Sequence, residues 1–330
     1  MFKHKTTKSY QAKTFNHCSS VHSFRGVQTL AWYSGKECYN SQSVYIINPA
    51  LNDKNKIMVG SKTGNPILFG HNGKTFLIYS KFESDRKGAL RWQDCSLWLS
   101  QLEVNKRKQP TILNHTKIAD HSLHLLARCN PIKHGSKTLI PLYDEKTAKN
   151  VLMSLDKDSI TPKIEYAYGN NCIQHTLFCF DDSLFSLSRN FRAYDDINNH
   201  RISNKSSLYD LGNARPGIIF RESSLFNLNS SIHAVNWGKE IYLLWNRKNK
   251  KVRTNLSLGK AKMFVDDDGY NIEVIETIDL TGEKRGSYPS MCVDNNKLYF
   301  TYTDDNYDIS YNVWNKRQFR FESKRGGIVS

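Results

Sequence analysis

The chain has 330 residues, of which 39% are hydrophobic and 12% aromatic, so it can bury a substantial core and is not a disordered polypeptide. Its 47 lysines and arginines outnumber 31 acidic residues, and the resulting formal charge of +16 favours an acidic partner. No stretch approaches the roughly 18 apolar residues of a membrane-spanning helix, so no transmembrane segment is expected.

Short segments of alternating apolar and polar residues follow one another along the chain. In chain order they include TLAWYS (29–34), TFLIYSKF (75–82), TLIPLYD (138–144), TLFCF (176–180), EIYLLWN (240–246) and KLYFTYT (297–303). This period of two predicts β-strands, and turn sequences such as GHNGK (70–74) and VDNNK (293–297) separate them. The best helix candidate is DEKTAKNVLM (144–153), and residues 193–216 are predicted to form a long loop.

One hairpin unit recurs, in which a strand, a turn of Asn, Asp, Gly or Lys, and an aromatic strand follow in that order. Examples are PILFGHNGKTFLIYS (66–80) and SMCVDNNKLYFTYT (290–303). A unit of about 50 residues would repeat six times in a chain of this length. We therefore predict an all-β fold, a six-bladed β-propeller in which residues 1–330 form a single domain and the N-terminal segment closes the last blade.

The chemistry-bearing residue types place limits on cofactors. The seven cysteines include no Cys-x-x-Cys pair, and several lie in apolar strand patterns, which is typical of buried reduced thiols. His115, His121 and His124 form the densest histidine group, but no carboxylate or cysteine pattern supports them as metal ligands. Neither a metal nor another cofactor is predicted.

The distribution of charge bears on partner and compartment. Basic residues are spread along the chain, and no helix-turn-helix, zinc-finger or RNP-type motif is present, so an acidic glycan is a better expected partner than nucleic acid. Residues 1–17 lack the apolar segment of a secretory signal. This predicts a cytoplasmic protein, or a periplasmic or secreted one if a signal has been removed. The pattern makes no prediction of oligomeric state.

Several hairpins also carry particular residues in a particular order. NHCSS (16–20), SLFSLSRN (183–190), KVRTNLSL (251–258) and SYPSM (287–291) belong to this series. The order resembles the sialidase superfamily, in particular its exo-sialidase-like branch of BNR-type propellers, and the resemblance spans nearly the whole chain. A clean Asp-box, Ser-x-Asp-x-Gly-x-x-Trp, is absent, but such boxes are structural turns. The resemblance implies a glycosidase site at the propeller centre.

Sialidases bind the sugar carboxylate with three arginines, and a tyrosine acts as nucleophile. The resemblance implies that Arg189 and Arg253 are the second and third arginines and that Tyr288 is the nucleophile. Two converging guanidiniums form a forked clamp for a carboxylate. The alternatives are that the arginines pair with acids such as Asp182 or Glu240, and that Tyr288 only packs at the start of its strand.

Several positions depart from the family pattern. The first arginine falls at His17, with Arg25 as a poorly placed substitute. The glutamate that assists the tyrosine falls at Gln174, which cannot take a proton. His17 has an ordinary pKa near neutrality, so it is a candidate acid/base, a substrate contact or a structural histidine.

The acid/base aspartate of the family also has no direct counterpart. Glu37 is the nearest acid and is the predicted proton donor. Asp144 and Glu145 are further candidates for this role.

The leading interpretation is an exo-acting glycoside hydrolase that removes a terminal acidic sugar, either sialic acid or a Kdo-like ulosonic acid. The arginine pair would hold the sugar carboxylate and Tyr288 would be the nucleophile. One alternative is a non-catalytic propeller that binds acidic glycans, which the missing acid and glutamate favour. The others are a lyase or hydrolase of uronic-acid glycans that uses a histidine, and a protein-interaction propeller.

Overall fold

The computed structural model describes residues 8–10, 15–83, 90–190, 205–212, 219–226, 230–247, 253–267, 269–305 and 307–316. In these residues, 26 β-strands form six antiparallel sheets. The sheets are the blades of a six-bladed β-propeller, which confirms the predicted fold.

The strands are, in chain order, β1 (Lys8–Tyr10), β2 (Asn16–Phe24), β3 (Val27–Ser34), β4 (Ser43–Ile47), β5 (Ile57–Ser61), β6 (Thr63–His71), β7 (Lys74–Phe82), β8 (Cys95–Val104), β9 (Pro110–Ile112), β10 (Thr116–Ala119), β11 (Leu125–Ala127), β12 (Ile132–His134), β13 (Lys137–Asp144), β14 (Lys149–Asp156), β15 (Lys163–Tyr168), β16 (Cys172–Phe180), β17 (Ser183–Asn190), β18 (Lys205–Gly212), β19 (Ile219–Phe226), β20 (His233–Trp237), β21 (Glu240–Asn246), β22 (Leu256–Asp266), β23 (Gly269–Asp279), β24 (Gly286–Asp294), β25 (Lys297–Asp304) and β26 (Ile309–Asn315). The short 3-10 helices are Asp53–Asn55, Trp92–Asp94 and His121–Leu123.

The blades follow one another along the chain. Blade one is β2–β5, blade two β6–β10, blade three β11–β15, blade four β16–β19 and blade five β20–β23. Blade six has the order β1-β26-β25-β24, so the N-terminal strand completes it as predicted. Lys8 lies opposite Tyr311, and the Tyr10 ring packs 5.3 Å from Trp32 of blade one, so the two ends of the ring are joined without a covalent bond.

The core lies between neighbouring blades. Because side chains alternate along a strand, each sheet presents one apolar face to the blade before it and the other to the blade after it. Blades two and three share one such cluster, and blades four and five share another. Their largest buried members are Phe69, Phe76, Ile140, Met153, Phe178, Phe185 and Trp245.

The predicted helix is wrong, because residues 145–148 form a hairpin turn and β14 follows. The Asp144 carboxylate accepts hydrogen bonds from the backbone N–H groups of Lys146 and Thr147 and from the Thr147 hydroxyl. An aspartate that binds the backbone two residues on stabilises a turn. Ala148 then has a φ of 52°, which no α-helix contains.

The predicted loop at 193–216 is also partly wrong, since Lys205–Gly212 forms β18 in blade four. Residues 193–204 and 213–216 lie outside the described residues.

All seven cysteines are free, and Cys18, Cys95, Cys129 and Cys172 are buried. In the part of the chain that the structure describes, no helix has the length and apolar character needed to cross a membrane.

Candidate active site

The innermost strands of four blades carry a β-bulge at the same place. The pairing register shifts at Cys18 in β2, Asn65 in β6, Gln174 in β16 and Tyr288 in β24, where two residues stand opposite one. These four residues have φ values of 51°, 46°, 54° and 51°, in the left-handed region of the backbone that residues other than glycine seldom adopt. A bulge redirects a side chain, and all four line one cavity where the inner strands meet.

The cavity has a volume of about 150 Å³. Predicted site residues Tyr288, Arg189, Gln174 and Glu37 are in its wall. The complete lining is Cys18, Glu37, Asn65, Trp92, Tyr143, Glu145, Ile173, Gln174, Arg189 and Tyr288. Residues that are distant in sequence therefore meet at one point, as the propeller prediction requires.

Two guanidiniums approach this cavity from blades four and five. Arg189 Nη1 donates a hydrogen bond of 2.8 Å to Gln174 Oε1. Burial, and then the like charge of Arg253, lower the pKa of Arg189 to about 10. Burial is the largest single influence on the pKa of Arg253 and lowers it, but Tyr288, Cys18 and Glu37 together outweigh burial and the pKa is raised. The Arg253 guanidinium lies 4.7 Å from the Tyr288 ring centre, and Arg189 lines the same cavity as Tyr288.

The acids considered as alternative partners do not hold these arginines. Glu240 is engaged by Lys260 at 2.5 Å and by Lys316 at 2.8 Å. Asp182 is exposed in the turn between β16 and β17. Neither Glu240 nor Asp182 is therefore the internal partner that the sequence left open for these arginines.

His17 packs against the nucleophile candidate without lining the cavity. The ring centres of His17 and Tyr288 are 4.3 Å apart at an interplanar angle of 81°. Burial first, and then Arg253, Arg128 and Arg285, lower the pKa of His17 well below its usual value. The imidazole is thus neutral at neutral pH, which argues against the predicted role of His17 as an acid or a cationic contact.

The structure does not bring Arg25 to the site. It lies in the exposed turn between β2 and β3, with its guanidinium 5.0 Å from the Phe24 ring centre. Cys18, seven residues earlier on β2, is the member of this strand that lines the cavity. At about 3.3 Å per residue, the strand separates Arg25 from the site by roughly 20 Å.

Two carboxyl groups line the cavity. Glu37 accepts a hydrogen bond of 3.3 Å from Trp92 Nε1. Burial raises the pKa of Glu145 to about 7; the charge of Asp144 acts in the same direction and Arg189 opposes both. Glu145 therefore retains much of its proton near neutral pH, whereas the Asp144 carboxylate is occupied by its turn.

Sequence reasoning missed several residues of the site. Cys18, Asn65, Trp92 and Tyr143 line the cavity without having been predicted. Arg128, which is 1% exposed, lies next to it with its guanidinium 5.3 Å from the Tyr288 ring centre. The signal for Arg128 was available, since it is a single charge within the apolar stretch LLARC (125–129).

The histidine group at 115–124 does not form a metal site. His115 Nδ1 is 2.9 Å from the Tyr79 hydroxyl, and His124 Nδ1 is 2.8 Å from the Gln93 carbonyl oxygen. Across the described ranges, no group of three or more His, Cys, Asp or Glu side chains is placed to hold a metal ion.

A second cavity, of about 920 Å³, is lined by residues of the hairpin turns at the opposite ends of the inner strands. The Asn130 side chain, which also lines it, donates hydrogen bonds of 3.2 Å to the carbonyl oxygens of Val21 and Met291. None of the predicted site residues lines this second cavity.

Comparisons with known proteins agree with this architecture. The model of the family described as BNR repeat-like domain matches residues 49–300. The fold is similar to the intramolecular trans-sialidase from Ruminococcus gnavus solved with oseltamivir carboxylate, with a TM-score of 0.66, 10% identity, and coverage of 92% of this chain and 95% of that one. It is also similar to a variant of NanB sialidase from Streptococcus pneumoniae, with a TM-score of 0.64, 8% identity, and coverage of 94% and 70%.

Trypanosoma rangeli sialidase matches with a TM-score of 0.61 and 13% identity over 92% of this chain. The chain spans about half of that protein, 55% of its length. No curated protein sequence matches the chain. At these identities the solved structures show a shared fold.

Proposed function

Because the chain belongs to the BNR repeat-like domain family, we propose that it is an exo-acting glycoside hydrolase that removes a terminal acidic sugar, sialic acid or a Kdo-like ulosonic acid. The observation that carries this proposal is that Arg189 and Tyr288 line one cavity and that the Arg253 guanidinium lies against the ring of Tyr288. The buried Arg189 guanidinium and the half-buried Arg253 guanidinium repel one another, and an anion between them relieves this repulsion. A sugar carboxylate is such an anion, and the fold is that of solved sialidases.

The arginines position the sugar in this proposal. Arg189 is oriented by its hydrogen bond to the Gln174 amide oxygen, and Arg253 lies against the ring of Tyr288. Charge-assisted hydrogen bonds from both guanidiniums would hold the carboxylate and place the anomeric carbon beside the phenol. A neutral phenol suits this position because, unlike a carboxylate nucleophile, it is not repelled by the sugar carboxylate.

Proton transfer is then divided between the two carboxyls. As Tyr288 Oη bonds to the anomeric carbon, the glycosidic bond breaks and Glu145 gives its proton to the leaving oxygen. Gln174 cannot accept the phenolic proton, so we assign that step to the Glu37 carboxylate. This assignment reverses the role that the sequence predicted for Glu37. It rests on the raised pKa of Glu145. When two carboxyl groups of a site lie in different environments, the one with the raised pKa can donate a proton and the other can accept one.

Glycans that end in sialic acid, a Kdo-like ulosonic acid or a uronic acid test the proposal directly. After incubation, mass spectrometry should detect the free hydrated sugar from one of the two ulosonic-acid classes. A product lighter by one water would instead show cleavage by elimination or by intramolecular transfer, without hydrolysis. Absence of both release and binding for every acidic glycan would contradict the proposal and leave a protein-interaction propeller.

A non-catalytic glycan-binding propeller is the second candidate. Gln174 supports it, since the amide orients Arg189 well but removes the base that a tyrosine nucleophile uses in the resembling family. Saturable binding of an acidic glycan without release of any sugar would favour this function over hydrolysis.

Turnover should depend on pH through Glu145. Its pKa is raised to about 7, so the carboxyl carries its proton at pH 5–6 and loses it as the pH rises through that value. Because the proposed donor must be protonated, kcat/KM should fall about tenfold for each pH unit above 7. The measurement is kcat/KM on a released sugar from pH 5 to 9.

The variants Glu145→Gln and Glu37→Gln make a matched pair for this profile. Glu145→Gln should lose most of the turnover together with the alkaline decline, whereas Glu37→Gln should be slow but keep that decline. A rate that is level from pH 6 to 9 in the wild type would remove Glu145 from the donor role.

A further inference from the structure

Arg128 is a buried cation next to the proposed site that no part of the mechanism above uses. It directly follows β11, in the gap before β12, so it enters the centre of the propeller through an interruption of the inner strand of blade three. It is 1% exposed and is the largest fully buried side chain among the described residues.

The hydrogen bonds of this guanidinium are few and weak. Arg128 Nη1 and Nη2 donate to the carbonyl oxygens of Ser19 and Pro289 at 3.4 Å and 3.2 Å, and Nε has no hydrogen-bond partner. No acidic side chain in the described ranges forms an ion pair with it. A buried cation without a counter-ion is costly, so its presence calls for an anion nearby.

The surroundings indicate where that anion binds. The Arg128 guanidinium is 5.3 Å from the ring centre of Tyr288, and Arg253 is 4.7 Å from the same centre. Blade one contributes Cys18 and Glu37 to the cavity wall, and neither side chain can carry a positive charge. His17 beside Cys18 is neutral, and blade one therefore supplies no cation.

We propose that Arg128 is the third cation of the carboxylate site, supplied by blade three in place of the charge that blade one lacks. It acts through Tyr288 and the electrostatic field, without direct contact with the ligand, and is therefore a positioning residue. Its field strengthens the binding of a carboxylate in the cavity. It also stabilises negative charge that develops on Tyr288 Oη during attack. This inference rests on the proposed function, because that function identifies the anion as a sugar carboxylate.

Binding of free sialic acid, Kdo and galacturonic acid, each compared with its methyl ester, provides the test. The variants are Arg128→Met, Arg128→Gln and Arg128→Lys, and affinity is measured by calorimetry. The neutral variants should bind the acid about tenfold more weakly and the uncharged ester unchanged, while Arg128→Lys keeps most of the acid affinity. A residue with only a structural role would weaken acid and ester alike and would not be rescued by lysine.

Arg128→Gln retains N–H donors for the two carbonyl oxygens, so the test can still be made with this variant if Arg128→Met does not fold. Equal acid affinity in the wild type and either folded neutral variant would overturn the inference. If Arg253→Ala still loses acid binding in that case, the proposed function survives without Arg128. If the wild type binds none of the acids, both proposals are overturned.

Discussion

Tyr288→Phe should lower the release of the acidic sugar by at least about a thousandfold, since loss of a nucleophile costs enzymes up to about 10⁶ in turnover. The phenylalanine ring fills the same space between Arg253, Arg128 and His17, so the wall of the cavity is preserved. Only the hydroxyl is removed. Binding of the sugar should therefore change by less than about fivefold, which is the contribution of one neutral hydrogen bond.

The backbone of Tyr288 strengthens this expectation. A φ of 51° at a bulky residue is unfavourable by about 1–3 kcal/mol, and such strain persists where it orients a functional side chain. The substitution leaves this φ with a residue of nearly the same shape, so both proteins should melt at similar temperatures.

The control for this experiment is Tyr299→Phe, which removes a buried phenolic hydroxyl from the neighbouring strand of the same blade. Tyr299 does not line the cavity. Turnover should be unaffected in the control. Retained turnover in Tyr288→Phe would exclude Tyr288 as the nucleophile.

The fold was largely predictable because a propeller is repetitive. Alternation in segments such as TLIPLYD (138–144) reports burial on one side of a pleated strand, and six repeats of one hairpin leave few other architectures. The prediction failed at DEKTAKNVLM, where helix-forming residues follow an aspartate. Local hydrogen bonds to the Asp144 carboxylate stabilise the turn there, and propensity does not report such bonds.

Several cavity residues were predictable from the family motifs, and on β2 the prediction missed the residue that lines the cavity by one position. Arg189, Gln174, Glu37 and Tyr288 meet at the cavity, although their catalytic and binding roles stay predictions. On β2 the sequence predicted His17 as a site residue, whereas the residue that lines the cavity is its neighbour Cys18. Since alternate residues of a strand face opposite sides, an unrecognised bulge exchanges which of two neighbours faces the cavity.

Charge and burial in three dimensions explain the remaining omissions. Arg128 was assigned no role from the sequence, and Glu145 was only one of several candidate proton donors; both come from blade three. Their importance follows from where they lie, next to Tyr288 and in the cavity wall, and from the pKa that burial gives Glu145. The lone charge of Arg128 within LLARC (125–129) is visible in the sequence, but its position beside Tyr288 and the raised pKa of Glu145 are not.

Arg253→Ala should weaken the binding of a carboxylated sugar by tenfold or more, because a hydrogen bond to a charged group contributes about 1.5–3 kcal/mol. Arg253 lies against the Tyr288 ring and Arg189 lines the same cavity as Tyr288, and burial followed by the charge of Arg253 lowers the pKa of Arg189 to about 10. If both arginines bind one carboxylate, the losses of binding free energy in Arg189→Ala and Arg253→Ala should not be additive. The double variant should then lose less binding free energy than the sum of the two single losses.

The charge of the ligand provides the decisive comparison, because a methyl ester has the shape of the acid without its charge. Arg253→Ala should reduce the preference of the protein for the acid over the ester, whereas a loss of packing would weaken both. Arg25→Ala is the matched control, since it removes the same charge from an exposed turn roughly 20 Å along β2 from the cavity wall. If Arg25→Ala lowered acid affinity as much as Arg253→Ala, the general positive charge of the chain would account for binding and the two-arginine clamp would be contradicted.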